Sequence, residues 1–210
     1  MSFANLCDPG YGSVHLYTGP MFSGKTSEVL TALDRYDYVA NAKVLLFKYY
    51  NDTRDKETIV KSRRGFGRKV YGQIGDDKDA WALVEKSIRE SSSLESTDAN
   101  YALIIGIDEG QFIRGLHLFV QKVLDHKAQF PNITMILYIA ALDSTFKAEM
   151  WPEIVLTLPY CSQVKKFTAI CAKCQTREAF LTMRNVQDDR LELIGSEEAY
   201  SAVCYACYNN

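Results

Sequence analysis

Gly19-Pro20-Met21-Phe22-Ser23-Gly24-Lys25-Thr26 fits the pattern G-x-x-x-x-G-K-[ST]. In that pattern glycines let the backbone curl until several N–H groups point at phosphate oxygens. Just before it, Val14-His15-Leu16-Tyr17 has strand character. Just after it, Val29, Leu30, Leu33, Tyr36 and Val39 recur at helical spacing, which predicts a helix from Gly24 to about Asn41. A glycine turn that carried Lys-Thr by chance would lack both flanks. With them, the helix N-terminus adds partial positive charge where the loop needs it. Gly19 to Thr26 is therefore expected to cradle ATP, with Lys25 at the β- and γ-phosphates and the Thr26 hydroxyl on Mg²⁺.

Outward from this loop, buried strands alternate with helices. Val44-Leu45-Leu46-Phe47 is a short continuous apolar run, as in a strand covered on both faces. Tyr101 to Ile107 and Ile133 to Ala140 are two more. Trp81, Leu83, Val84 and Ile88 predict one helix, and Leu116 to Leu124 another. That alternation argues for an α/β fold with a mainly parallel sheet. Residues 1–12 read as a loose arm, and the serine-rich, acidic stretch Glu90 to Asn100 as an exposed linker. Residues 50–75 show no clear period. The basic cluster from Lys61 to Lys69 within them reads either as a solvated loop or as a flap over the ATP phosphates. His15 falls inside the first strand pattern and reads as a satisfied core histidine. His117 and His126 read as surface residues of a helix.

The chain has 210 residues, 47% hydrophobic and 24% charged, values that exclude wholesale disorder. Its 24 Lys+Arg against 26 Asp+Glu leave a net charge of -2, without the basic excess that a grip on a nucleic-acid backbone usually needs. The longest apolar run, Met135 to Leu142, is far short of a membrane span. The first twenty residues hold no apolar signal core, so a cytoplasmic chain with no membrane and no nucleic-acid partner is expected.

Two further groups carry chemistry. The strand ending at Ile107 runs into Asp108-Glu109. An acid at that place is the usual second metal-handling element beside a phosphate loop, which assigns Asp108 to the metal. Glu109, one position along, points elsewhere and can take a proton from an attacking hydroxyl, whether from water or from an acceptor molecule. The second group is Cys171-Ala172-Lys173-Cys174 and Cys204-Tyr205-Ala206-Cys207, two C-x-x-C pairs separated by residues 175–203. Two such pairs read as a Cys₄ zinc site, with redox C-x-x-C motifs or disulfides as the rival readings. Cys7 and Cys161 are left over and read as plain thiols.

Together these stretches resemble the type II thymidine kinases. The resemblance rests on the phosphate loop, Asp-Thr-Arg at 52–54, Asp-Glu-Gly-Gln-Phe at 108–112, Ala-Leu-Asp-Ser-Thr-Phe at 141–146 and the cysteine pairs, and spans roughly residues 13 to 208. It implies a RecA-like core over residues 1–165 and a small zinc-ribbon lobe over 166–210. It implies transfer of the γ-phosphate of ATP to the 5′-hydroxyl of thymidine, and of deoxyuridine, in nucleotide salvage. Glu109 then corresponds to the general base. Asp52, Arg54, Asp108 and Gln111 fall on the donor and metal side. Met21, Phe112, Leu142, Phe146 and Thr182 fall in the thymine pocket. Residues 183–200 correspond to a lasso loop that closes over the nucleoside, with Leu193, Gly195 and Tyr200 at its contact positions. The family also implies feedback inhibition by dTTP and a homotetramer, with a dimer as the smaller possibility.

Several positions depart from the family pattern. Ser144 stands where a glycine is usual, which would be strained if that position needed φ > 0. Ser62-Arg63-Arg64-Gly65 replaces a Ser/Thr-His pair, Trp151 replaces a phenylalanine, and 90–99 reads as an insertion. From another class, the same motifs suit a non-catalytic nucleotide sensor or a DNA-associated ATPase. The near-neutral charge argues against DNA, and the intact Glu109 with Lys25-Thr26 argues against a dead sensor.

Overall fold

The computed structural model describes residues 12–54, 59–62, 65, 67–92 and 101–210. The arm at 1–11, with Cys7, and the stretch 93–100 lie outside the described residues.

A six-stranded sheet forms the centre. In chain order its strands are β1 (Ser13–Gly19), β2 (Ala42–Tyr49), β5 (Gly72–Ile74), β6 (Tyr101–Ile107), β7 (Ile133–Leu142) and β8 (Gln163–Lys166). They lie in the order β5-β2-β6-β7-β1-β8. Every pairing is parallel, with Leu46 opposite Gly106, Ile105 opposite Leu137, and Leu16 opposite both Ile139 and Val164. The four inner strands are apolar on both faces because helices cover both. Helix α1 (Lys25–Asp34) sets Val29, Leu30 and Leu33 against Leu46, Ile104 and Ile136. Helices α2 (Asp77–Ser92) and α3 (Leu116–Asp125) cover the other face, where Val84, Phe119, Val120 and Val123 meet Leu45, Ile105, Leu137 and Ile139. Burying each such side chain fully contributes about 1.5–3 kcal/mol, so the two-sided apolar strands specify the layered architecture.

The helix after the phosphate loop ends at Asp34, short of the expected Asn41. Bonds from Tyr36 N to Leu33 O, Asp37 N to Asp34 O and Val39 N to Tyr36 O wind it into successive tight turns that deliver the chain to β2. Those turns also hold Asp34 and Asp37 against Arg68. Arg68 belongs to an antiparallel hairpin, β3 (Ile59–Lys61) with β4 (Gly67–Lys69), so part of the aperiodic basic cluster is ordered sheet. Glu90 to Ser92, expected as linker, complete α2. His126 is not a surface residue. It is buried, its ring nitrogens 2.6 and 2.7 Å from the carbonyl oxygens of Val123 and Ile133, and burial pulls its pKa down. Charged neighbours in sequence gave it a surface reading, while the chain's turn from α3 toward β7 points it inward.

Beyond β8 the chain forms two small hairpins, β9 (Ala169–Ile170) with β10 (Glu178–Ala179) and β11 (Leu181–Arg184) with β12 (Tyr200–Val203). Helix α4 (Pro152–Thr157) precedes β8, and a short helix α5 (Tyr205–Tyr208) closes the chain. The carboxyl ends of β1, β2, β6 and β7 deliver the phosphate loop, Asp52, Asp108 and Leu142 to one edge, the edge where open parallel sheets bind ligands.

Candidate active site

The phosphate loop is shaped by backbone that few side chains tolerate. Gly24 has φ 90°, and a Cβ there would meet open space, so its conformation rather than crowding asks for glycine. Gly19 has φ 138° and a Cβ would come 2.4 Å from the Phe167 carbonyl oxygen, so both shape and contact exclude a side chain. Phe22 takes a left-handed φ of 66° and packs its ring between the cysteine lobe and the residues around Tyr200. Lys25 Nζ donates to Pro20 O at 2.6 Å, folded back over the loop, and Ser23 Oγ donates to Pro20 O at 2.9 Å. Burial pulls the Lys25 ammonium down to about 8, against the opposing pull of Glu109, Asp108 and Asp143. The loop opens on a cleft of about 600 Å³ whose walls include Met21 to Ser27, Lys48, Asp52, Asp108 and Ser196.

Three carboxylates converge at its floor. Asp52, Asp108 and Glu109 each offer an oxygen within 4.8 Å of the others. Thr26 Oγ1 donates to Asp108 Oδ1 at 2.9 Å, so this donor set is all oxygen, as Mg²⁺ requires. Burial pushes the Asp108 carboxyl well up, helped by the negative charge of Glu109. Arg54 is the counterweight. Its Nε and Nη2 grip the two oxygens of Asp52 at 2.8 Å each, and Nη2 also donates to Glu109 Oε1. Burial pushes Asp52 up, but the bonds and charge of Arg54 outweigh it and hold the carboxyl below its usual range. Glu109 itself sits at φ 57°, a left-handed kink just after β6 and Asp108. Its other oxygen, Oε2, accepts from Gln111 Nε2 at 2.5 Å. Gln111 Oε1 in turn accepts from Leu142 N at 2.9 Å. Gln111 is thus a buried brace between β6 and β7 and does not line the phosphate cleft.

A second, tighter pocket adjoins the first. Met21, Phe112, Leu142, Phe146, Thr182, Leu193, Gly195 and Tyr200, the residues expected around an acceptor, all line it. It encloses about 30 Å³, room for no more than a couple of waters by the usual size of a water site. Met21 N donates to Thr182 Oγ1 at 3.0 Å, which pins the phosphate loop to β11. The loop 185–199 between β11 and β12 forms the roof. Arg184 organises it. Its guanidinium lies 3.8 Å over the Phe146 ring, and it donates to the carbonyls of Asp188 (2.6 Å) and Arg190 and to Tyr200 Oη at 2.7 Å. Tyr200 Oη donates to Leu193 O at 2.8 Å. Ser144 does not have a positive φ, so the strain expected of a serine there does not arise. The left-handed position in that turn is Ala148, at φ 60°.

The two cysteine pairs meet. Cys171, Cys174, Cys204 and Cys207 place their sulfurs within 4.8 Å of one another, and all four are free thiols. The Cys174 and Cys204 sulfurs are 3.9 Å apart, against the ~3.8 Å that tetrahedral zinc with ~2.3 Å Zn–S bonds imposes. The cluster can therefore hold Zn²⁺. The first pair sits on a turn, and the second spans the start of α5, with Cys204 just before it and Cys207 within it. Gln175 N bonds Cys171 O at 2.9 Å, with Gln175 at φ 56°, and Ala172 N bonds Ala202 O at 2.9 Å, joining the hairpins. Cys161 stands apart, half-buried, its sulfur directed at Thr157 O.

Arg184, Trp151 and Ile194 also line this second pocket without having been singled out as ligands. Arg184 carried no local signal. Only the fold of the loop back onto its own strand shows why a charged residue stands there.

A family model described as thymidine kinase matches residues 12–208. The chain is 34% identical over 199 residues to thymidine kinase 1 of Dictyostelium discoideum, an alignment covering 95% of this chain and 78% of the relative. It is 33% identical over 200 residues to the thymidine kinase of sheeppox virus strain KS-1, covering 94% and 97%. Against the thymidine kinase of vaccinia virus strain Western Reserve it is 33% identical over 198 residues, again covering 94% and 97%.

Proposed function

The chain belongs to the thymidine kinase family, and from that premise we propose how its two cavities divide the reaction. It is an ATP-dependent phosphotransferase acting on thymidine in nucleotide salvage. Deoxyuridine, smaller by one methyl, is the second acceptor. One observation carries the division of labour: Met21, Arg54, Glu109 and Leu142 line both the phosphate cleft and the acceptor pocket. A carboxylate at such a junction lies between a nucleoside hydroxyl and a γ-phosphate.

In this reading the backbone of Gly19 to Thr26 and the Lys25 ammonium hold the triphosphate. Thr26 and Asp108, with Asp52 beside them, would hold Mg²⁺, which would offset the charge of the phosphate oxygens. The base lies among Met21, Phe112, Leu142, Phe146 and Thr182, under Leu193, Gly195 and Tyr200. The 5′-oxygen attacks the γ-phosphorus, its proton passes to Glu109, and the bond to the β–γ bridging oxygen breaks, releasing ADP. Arg54 keeps the Glu109 carboxylate oriented and stands beside the transferring group. Gln111 serves by bracing Glu109 rather than by touching nucleotide. The tightness of the acceptor pocket supports a roof loop that opens for entry and closes on the nucleoside.

The finer expectations go with this reading. The chain divides into a core over 1–165 and a lobe over 166–210 built on one structural Zn²⁺. dTTP inhibits by occupying the acceptor site with its phosphates in the cleft. The enzyme works in the cytoplasm without membrane or nucleic-acid partner, as a homotetramer or a dimer. Half-exposed Leu118, Leu156 and Tyr160 on neighbouring helices support an oligomer.

Glu109→Gln tests the junction. The amide keeps the size and an acceptor oxygen but cannot take the proton. With thymidine as acceptor, kcat should fall by roughly 10²–10⁴-fold while ATP binding stays near wild type. Loss of ATP binding with kcat kept at saturation would place Glu109 on the donor side instead.

A further inference from the structure

The roof loop 185–199 packs Ile194 against the main core and Leu193 beside Met21 and Leu142, and two sets of polar contacts hold it besides. The bonds of Arg184 run from the end of β11 into the loop that follows it and to Tyr200 at the start of β12, so they shape the loop and close it on its own hairpin. Glu192 reaches across. Its Oε1 accepts from Tyr49 Oη at 2.7 Å and from Asn51 Nδ2 at 3.2 Å, contacts that join residues 143 and 141 positions apart in the chain. Tyr49 ends β2 and is buried to all but 4% of its surface. Its ring packs on Phe112, 5.2 Å between centroids, and Phe112 lines the acceptor pocket. Three residues after Tyr49 comes Asp52, and then Arg54, whose guanidinium bonds both Asp52 and Glu109.

We propose that Glu192 is a positioning residue: it latches the roof loop to the carboxyl end of β2, and through that latch the loop is seated over the acceptor. The reasoning is energetic. A loop of this length loses conformational freedom when it lies down over a pocket. A staple within the loop narrows its shapes but does not choose where it sits. Two hydrogen bonds to a rigid strand end do choose, and a carboxylate acceptor makes them stronger than neutral ones. The latch seats Leu193 and Gly195 over the pocket, since they lie one and three residues after Glu192. It does so without touching either cavity, as Glu192 lines neither. The loop meets the phosphate cleft only through Ser196, so acceptor affinity should change far more than ATP affinity.

This rests on thymidine being the acceptor, so the test has one arm that needs no nucleoside. Amide hydrogen exchange in 185–199 is measured on the ligand-free enzyme for wild type, Glu192→Ala, Tyr49→Phe and the double variant. Tyr49→Phe keeps the ring packing and removes one oxygen, so the fold is not at risk. Each single variant should speed exchange there about tenfold, and the double no more than the larger single effect, because the bond lost in Tyr49→Phe is one of the two lost in Glu192→Ala. In the second arm, thymidine KM should rise about tenfold in both singles while ATP KM stays within about twofold. Glu192→Gln, whose amide oxygen still accepts from Tyr49, should recover most of the loss. Unchanged exchange overturns the latch. Faster exchange with unchanged thymidine KM, or additive effects in the double variant, overturns the positioning role. A wild-type enzyme that does not turn over thymidine would overturn the functional reading instead, and the exchange arm would still decide the latch.

Discussion

Lys25 shows how far one residue's role depends on what it faces. In the structure its ammonium is turned onto the Pro20 carbonyl, and burial pulls it down to about 8. A triphosphate gives that charge a better partner. Lys25→Ala should leave the fold intact, because its bonds are local to the loop, yet lower turnover by about 10²-fold or more. Kinetics beside a thermal melt check both halves, and near-normal activity in a folded variant would remove the phosphate-loop assignment. Residues of this kind were legible because a strand, a glycine pattern and a helix stand consecutively in the chain. Asp108 and Glu109 were legible from the end of an apolar strand. The contact from Arg54 to Glu109 was not, since it spans 55 positions with no period to announce it. His126 was misread for a related reason: its polar neighbours suggested the surface, while two backbone carbonyls receive it inside.

Among elements, the buried strands were the easiest to read. Burial on both faces makes them continuous apolar runs; β6 has the expected bounds, and β2 and β7 extend the expected runs by only a few residues. Edge strands gave no such signal. β8 is exposed along its length and carries Gln163, Lys165 and Lys166, so nothing apolar marked it, yet it extends the sheet beside β1. The cysteine hairpins stand between these cases, as the spacing foretold a meeting point but not the bond from Tyr208 Oη to Phe146 O that ties the lobe to the acceptor pocket. Because Cys171, Cys174, Cys204 and Cys207 bracket the roof loop, one ion across them would shorten its span and lower the entropy of ordering it. Cys174→Ser should reduce zinc content and weaken thymidine binding far more than ATP binding. Elemental analysis with separate titrations of the two ligands measures this, and full thymidine affinity in a zinc-free variant would separate the lobe from the acceptor site.

At the scale of the molecule, one parallel sheet gathers groups from distant parts of the chain. Residues near 20, 52, 108 and 142 reach a single edge because each follows a strand that ends there. No helix among the described residues is long and apolar enough to cross a membrane. The acceptor pocket, roofed by a loop and sized closely by aromatic walls, should accept a pyrimidine and reject a purine. A single methyl is worth only about 1–3 kcal/mol, so deoxyuridine should remain a substrate. The central claim is that these two adjoining cavities pass a phosphate from ATP to thymidine. Its most direct test is ADP release with ATP and each of thymidine, deoxyuridine, deoxyadenosine and deoxyguanosine in turn. The account predicts turnover with thymidine and deoxyuridine and none with either purine nucleoside. No turnover with thymidine, or efficient turnover with deoxyguanosine, would contradict it.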